Sequence, residues 1–347
     1  MRLLCLALLV QSSSSAAINT GAAATNNASL AHSLPSSWPA ARWLSMMHSA
    51  NHPRVQGWAA LMENSLKRLG KEDREGKRLA SMSAESCGPN YAAGVSVNQG
   101  LLIEFGTWAG GSMRCFAAGL NRTGHKGRAI GFDAFEAGFV HGNEEKLRGT
   151  RWWDEKMTRK QRQQLDLMPI YHWNIDDVYP TVRAERVNFR ISQNVDNVLG
   201  ASAMVDVFIT DAAKHAVQLA QDLATVAPYL NPGSITVFSD FFWEPTADDH
   251  PRSNEILFTF GMLVPKTLQF LGISANGYAY FVVLKKVSRA EILHASSLWQ
   301  GGLASTRCSQ SRSSSVMALQ DARQGAPPQV RSLCAQMKRL VESVKCK

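Results

Sequence analysis

Between residues 101 and 285 the apolar positions fall into short runs, each stopped by glycine, an acid or a polar cluster. Leu101–Phe105 runs into Gly106 in the manner of a buried parallel strand, and Ser112–Leu120 is apolar at helical spacing. Arg128–Asp133 predicts a second strand, Val187–Ser192 a third and Val205–Thr210 a fourth, with a helix over Lys214–Ala227. Asn231-Pro232-Gly233 reads as a turn, Ser234–Ser239 as a fifth strand and Asn254–Leu263 as a helix. Thr267–Ile273 and Tyr278–Lys285 flank Asn276-Gly277, a dipeptide suited to a tight hairpin. Strands alternating with helices and ending in a hairpin imply one α/β domain over residues 100–287. Its sheet is parallel with an antiparallel C-terminal hairpin.

Several segments lie outside this framework. Residues 25–99 read as a linker with helices, in which Trp58, Leu61, Met62, Leu66 and Leu69 share one helical face. The charged run Lys71–Arg78 reads as a solvated helix end, and Cys87-Gly88-Pro89 as a loop before the main domain. Residues 136–180 form an insertion too long for a plain connection. Its Trp152, Trp153, Tyr171 and Trp173 either pack a lid or cover a site mouth and stack on a substrate. Residues 288–347 form a tail with a basic helix near 329–344, and no internal repeat is visible.

The opening residues change the picture of destination. Arg2, the apolar run Leu3–Val10 and the small residues that follow have the layout of a secretory signal, removed by about residue 24. No acid precedes Glu63, which an organelle transit peptide, plastid-type included, also shows. The expected location is the secretory pathway or outside the cell, with a plastid or other organelle as the alternative. No transmembrane helix is expected after processing. Without Cys5, five cysteines remain: Cys115 reads as a core residue, and Cys308, Cys334 and Cys346 cluster where a bridge would staple the tail. Asn27-Ala28-Ser29 and Asn121-Arg122-Thr123 are glycosylation tripeptides for a chain entering the secretory route.

The net charge of +9 favours an acidic partner or surface, while 45% hydrophobic and 19% charged residues supply an ordinary core. No zinc-finger spacing or aromatic-basic recognition motif accompanies that charge, which argues against nucleic acid.

The chemistry gathers at the strand ends. The first strand leads into Glu104-Phe105-Gly106-Thr107-Trp108-Ala109-Gly110-Gly111-Ser112 and then a helix. Glycines there let a nucleotide approach the backbone, and a helix start offers unpaired N–H groups. The second strand ends in Asp133, whose carboxylate suits ribose hydroxyls, or else the N-cap of a helix. The stretch resembles the first motif of the macrocin O-methyltransferase group, which includes cephalosporin hydroxylase-like proteins. Asp133-Ala134-Phe135-Glu136 is similar to that group's second strand end.

The resemblance implies a class I S-adenosylmethionine-dependent methyltransferase with a Rossmann-like seven-stranded sheet flanked by helices. It places S-adenosyl-L-methionine on Glu104, Gly106, Gly110, Gly111, Ser112 and Asp133, with Gln193 near the adenine. Asp211 and Asp240 end the next two strands and would hold a magnesium ion by the same resemblance. Asp211 and His215 are the candidate catalytic residues. Asp248, Asp249 and His250 either supply further ligands or lie in a solvated loop. The chain departs from the group at Ala213 and Ser239, where acids stand in its relatives. The implied activity is methylation of an oxygen on a small molecule or glycan. A non-catalytic binding protein and a hydroxylase-like enzyme on the same fold are the alternatives.

Overall fold

The computed structural model describes residues 34–48, 84–137, 147, 152, 154–213, 215–239, 241, 255, 258–264, 266–273 and 278–304. Seven strands form one sheet in the order β3-β2-β1-β4-β5-β7-β6. They are β1 Leu101–Phe105, β2 Ala129–Asp133, β3 Arg183–Arg186, β4 Val205–Thr210, β5 Leu230–Phe238, β6 Leu268–Ile273 and β7 Ala279–Val283. β3, β2, β1, β4 and β5 run parallel. β7 pairs antiparallel with both β5 and β6, Ile273 opposite Ala279. The hairpin is therefore present, and its Asn276-Gly277 turn lies outside the described residues. The chain builds outward from β1 to β3, then returns to place β4 on the other side of β1. That reversal falls at the carboxyl ends of β1 and β4, where such sheets bind ligands.

The helices are α1 Pro39–His48, α2 Ala84–Ser96, α3 Gly111–Arg122, α4 Arg159–Gln163, α5 Met168–Ile175, α6 Ser192–Leu199, α7 Ala216–Val226 and α8 Arg289–Ala304. Period-two alternation divides the strands between two core layers. Ile103, Phe105, Ile130, Phe132 and Phe208 pack with α7 and with Ile292 and Trp299 of α8. Leu102, Ala129, Val207 and Ile209 pack with α1, α2, α3 and α5. Glu104 lies two residues from Leu102, and so faces the α3–α5 side. Helix α8 closes the first layer, so packing continues through Trp299.

Three expectations are corrected. Cys87-Gly88-Pro89 is not a loop but the interior of α2. Tertiary contacts override the proline: α2 and α3 cross so closely that a Cβ on Gly94 would meet Phe116 O at 2.0 Å. A Cβ on Gly119 would meet Tyr91 O at 2.1 Å. A Cys87–Cys115 disulfide joins the same two helices, so Cys115 is a bridged core residue. The third strand is Arg183–Arg186, not Val187–Ser192, and Ser192 starts α6. As an edge strand paired only with β2, it needs no continuous apolar run. Asn231-Pro232-Gly233 lies inside β5, where Val205 pairs Leu230 and Val207 pairs Ile235. The extra residues bulge there, with Gly233 at φ 94° and Trp38 packed against it.

Of the helix expected over Asn254–Leu263, Glu255 and Phe258 are helical and Thr259–Leu263 forms a π-helical turn. The predicted helix over residues 58–69, the leader, the Asn27 tripeptide and the basic tail helix fall outside the described residues. So do Trp153, Cys308, Cys334 and Cys346. Among the described residues, no helix is long and apolar enough to cross a membrane.

Candidate cofactor and methyl-transfer site

The carboxyl ends of four strands are held level by bonds from the residues just past β1, β4 and β5. Gly106 N–H donates to Phe132 O, Asp211 N–H to Phe105 O and Ser239 N–H to Thr210 O, each at 2.9 Å. This alignment sets Glu104, Asp133 and Asp211 along one edge. Burial pushes the Glu104 carboxyl up to about 7, its Ser112 and Thr107 hydrogen bonds oppose this, and the charges of Asp211 and Asp133 raise it further. Glu104 is fully buried and accepts from Ser112 Oγ and from Thr107 Oγ1, the latter at 2.6 Å.

Asp133 ties two loops together. Its Oδ2 accepts from Trp108 N–H and its Oδ1 from Phe135 N–H, both at 2.8 Å. Trp108 and Phe135 hold φ values of 46° and 55°, conformations that cost energy for residues with a Cβ. The two bonds offset that cost. Burial raises the Asp133 pKa against the lowering effect of these backbone donors.

Glycine is required at the loop itself. Gly106 has φ 78°, and a Cβ there would meet Ala212 at 2.8 Å. Gly110 is the N-cap of α3 at φ 80°, where a Cβ would meet Ile175 at 2.7 Å and Tyr171 at 2.9 Å. No side chain caps this helix start, at which Gly111 and Ser112 are buried.

The loop rests on the insertion, a relationship the sequence did not disclose. Asn174 Nδ2 donates to Ala109 O at 3.0 Å. Arg114, 1% exposed, donates to Asn174 O and forms a two-pronged pair with Asp177, Nη2 to Oδ2 at 2.8 Å. Tyr171 is fully buried, and its hydroxyl lies 2.6 Å from where a Gly131 Cβ would stand. Tyr171 therefore supports the loop from below and does not stack on a substrate. Burial, then the neighbouring Glu104 charge, raises its pKa well above the usual phenol range. Trp152 and Trp173 pack edge to face at 4.9 Å.

A second support lies behind β4. Arg190 donates through Nη2 to Ala212 O at 2.9 Å, and its Nε sits 3.4 Å from Asp222 Oδ1. Asp222 is fully buried and accepts from Thr210 Oγ1 at 2.8 Å. Burial lifts its pKa to about 6 against the lowering effect of Arg190. The turn carrying Asp211 is thereby tied to α7.

His215 is the N-cap of α7 and half-buried. Burial first, and then the Arg190 charge, lower its pKa, which favours the neutral imidazole. Gln193 lies in the first turn of α6, exposed and bonded to Asn197 at 2.8 Å. Asp240, Asp248, Asp249 and His250 lie outside the described residues. Ala213 and Ser239 are each 3% exposed. Among the described residues no three His, Cys, Asp or Glu side chains gather as a metal site. The described donors thus do not complete a magnesium site, and no step below passes through a metal.

S-adenosyl-L-methionine meets a better-matched set. It carries a sulfonium and an ammonium, and Glu104, Asp133 and Asp211 are carboxylates whose mutual repulsion a cation would relieve. The uncapped α3 start has N–H groups that could hold its carboxylate.

Residues 103–241 match a family described as a methyltransferase domain. The seven-stranded sheet, parallel with an antiparallel C-terminal pair, has the Rossmann-like methyltransferase fold. No curated protein sequence matches the chain. Among solved structures, the calicheamicin methyltransferase CalS11 is 19% identical with TM-score 0.38, covering 57% of this chain and 77% of its own. MycE from the mycinamycin pathway, in complex with Mg, SAH and mycinamycin VI, is 13% identical with TM-score 0.37, covering 64% and 55%. The O-methyltransferase TomG of Streptomyces achromogenes, in complex with SAM, is 14% identical with TM-score 0.37, covering 63% and 89%.

Proposed function

We propose that this domain methylates a hydroxyl oxygen of a small molecule or glycan, using S-adenosyl-L-methionine bound over the Glu104–Ser112 loop. The observation that carries the reading is the row of carboxylates Glu104, Asp133 and Asp211 around an uncapped helix start. The bound cofactor supplies a methyl group on a sulfonium. Glu104 and Asp133 hold its cationic and ribose portions, and Gly106 and Gly110 admit it to the backbone. Asp211 orients the acceptor hydroxyl, and neutral His215 takes the proton as the oxygen attacks in line. Gln193 would lie toward the adenine. Asp211 and Asp240 would be the residues to hold a magnesium ion, which the transfer does not require.

The compartment belongs to the same reading. The buried Cys87–Cys115 bridge suits an oxidising lumen, in keeping with the secretory-type leader. Incubation with methyl-labelled cofactor and a panel of hydroxylated small molecules and free oligosaccharides tests the reaction. A labelled methyl ether is the expected product. Label on nitrogen or sulfur alone, or product without label, would overturn oxygen methylation. The second outcome would favour hydroxylase-like chemistry.

A further inference from the structure

We propose that Asn121 carries an asparagine-linked glycan, on the end of the domain opposite the methyl-transfer edge. Asn121-Arg122-Thr123 supplies the acceptor tripeptide. The structure places it where a large polar group is tolerated: Asn121 and Arg122 end α3, and both are exposed. Beyond them the chain turns at Gly124, φ 75°, and a Cβ built there or at Gly127 meets nothing within 4 Å. Helix α3 has 12 residues at about 1.5 Å rise each, which sets Asn121 roughly 16 Å from Gly110. A glycan on Asn121 therefore grows away from the cofactor loop.

The second observation is independent of the tripeptide. Cys115 lies on the same helix, bonded to Cys87, and the two are 2% and 1% exposed. A bridge this buried forms before or during the closure of α2 on α3, in an oxidising folding compartment. A lumen that oxidises this pair is also where the glycan donor is available. In the folded chain Thr123 Oγ1 donates to Leu120 O at 2.6 Å and Thr123 is the helix cap, so modification precedes folding. In that step Asn121 Nδ2 forms a bond to the anomeric carbon of a lipid-pyrophosphate-linked oligosaccharide. The carbon–oxygen bond to the pyrophosphate breaks, the lipid pyrophosphate leaves and the amide nitrogen gives up one proton.

This inference rests on the lumenal reading above, and one experiment separates their failures. The full chain is expressed in eukaryotic secretory cells and its intact mass measured before and after amidase treatment, with free thiols counted by alkylation. Expected are a bonded Cys87–Cys115 pair and a glycan at Asn121 that amidase removes, converting that asparagine to aspartate. Asn121→Gln and Thr123→Ala should each lose this glycan, Thr123→Ser should keep it, and Asn27→Gln should not affect it. Cofactor affinity of Asn121→Gln should match wild type. A bonded pair with no glycan at Asn121 would overturn the modification and leave the lumenal reading standing. Free thiols with no glycan would overturn both.

Discussion

Asn174 of α5 donates to the carbonyl oxygen of Ala109, so a residue 65 positions away holds the glycine-rich turn after β1. Arg114 and Asp177 close the same link from the other side. The insertion is thus part of the site's frame, whatever its remaining residues do. Removing the Asn174 amide should weaken S-adenosylmethionine binding while leaving turnover at saturation nearly unchanged. A lost buried hydrogen bond is worth about 1 kcal/mol, or roughly a fivefold rise in KM for Asn174→Ala. Steady-state kinetics at varied cofactor concentration would show it. A fall in kcat with unchanged KM would place Asn174 elsewhere in the mechanism.

Gly131 and Tyr171 form a second such pair. A Cβ on Gly131 would stand 2.6 Å from the Tyr171 hydroxyl. Gly131→Ala should destabilise the domain by about 1–3 kcal/mol through overpacking. Adding Tyr171→Phe removes the clashing oxygen and should recover part of that loss. Urea unfolding of the two single variants and the double variant measures the coupling, and strictly additive effects would contradict the contact.

These contacts show which parts of the molecule could be read from the chain. β1 and β4 announced themselves as apolar runs because they are covered on both faces, and the glycine loop because a tight turn needs those residues. β3 did not, since an edge strand with one hydrogen-bonded neighbour tolerates Arg183 and Arg186. Helix α2 was hidden by Gly88-Pro89, whose local tendency is outweighed by the crossing with α3 and the disulfide. Glu104 and Asp133 were legible as acids at strand ends. Arg114, Tyr171, Asn174 and Arg190 were not, because their roles depend on partners brought near only by folding. The available signal was a long excursion from β2 that returns beside it.

The disulfide should contribute measurably to stability. Cys87 and Cys115 are 28 residues apart, and closing a loop of that size stabilises by about 3.6 kcal/mol in the chain-entropy account. Cys87→Ser with Cys115→Ser should therefore lower the urea midpoint, and reductant should have no further effect on that variant. An unchanged midpoint would contradict a formed bridge in the native protein.

Glu104 gives the domain a pH signature. Its folded pKa of about 7 lies above the ordinary 4.5. In that window the folded state keeps a proton that the unfolded chain has lost, so this group's contribution to stability falls as pH rises. Above about pH 7 the loss levels off, at roughly 3 kcal/mol. Glu104→Gln should flatten this dependence between pH 4.5 and 7 and bind the cofactor more weakly. Thermal unfolding across that range would expose a variant with the wild-type slope, which would sink the assignment.

The most direct measurement is calorimetric titration of the folded protein with S-adenosyl-L-methionine at pH 7, in two buffers of different ionisation enthalpy. A cation beside Glu104 should expel its proton, so saturable binding with a buffer-dependent enthalpy is the predicted result, weakened in Asp133→Ala. Well-folded protein that binds no cofactor in either buffer would contradict the site.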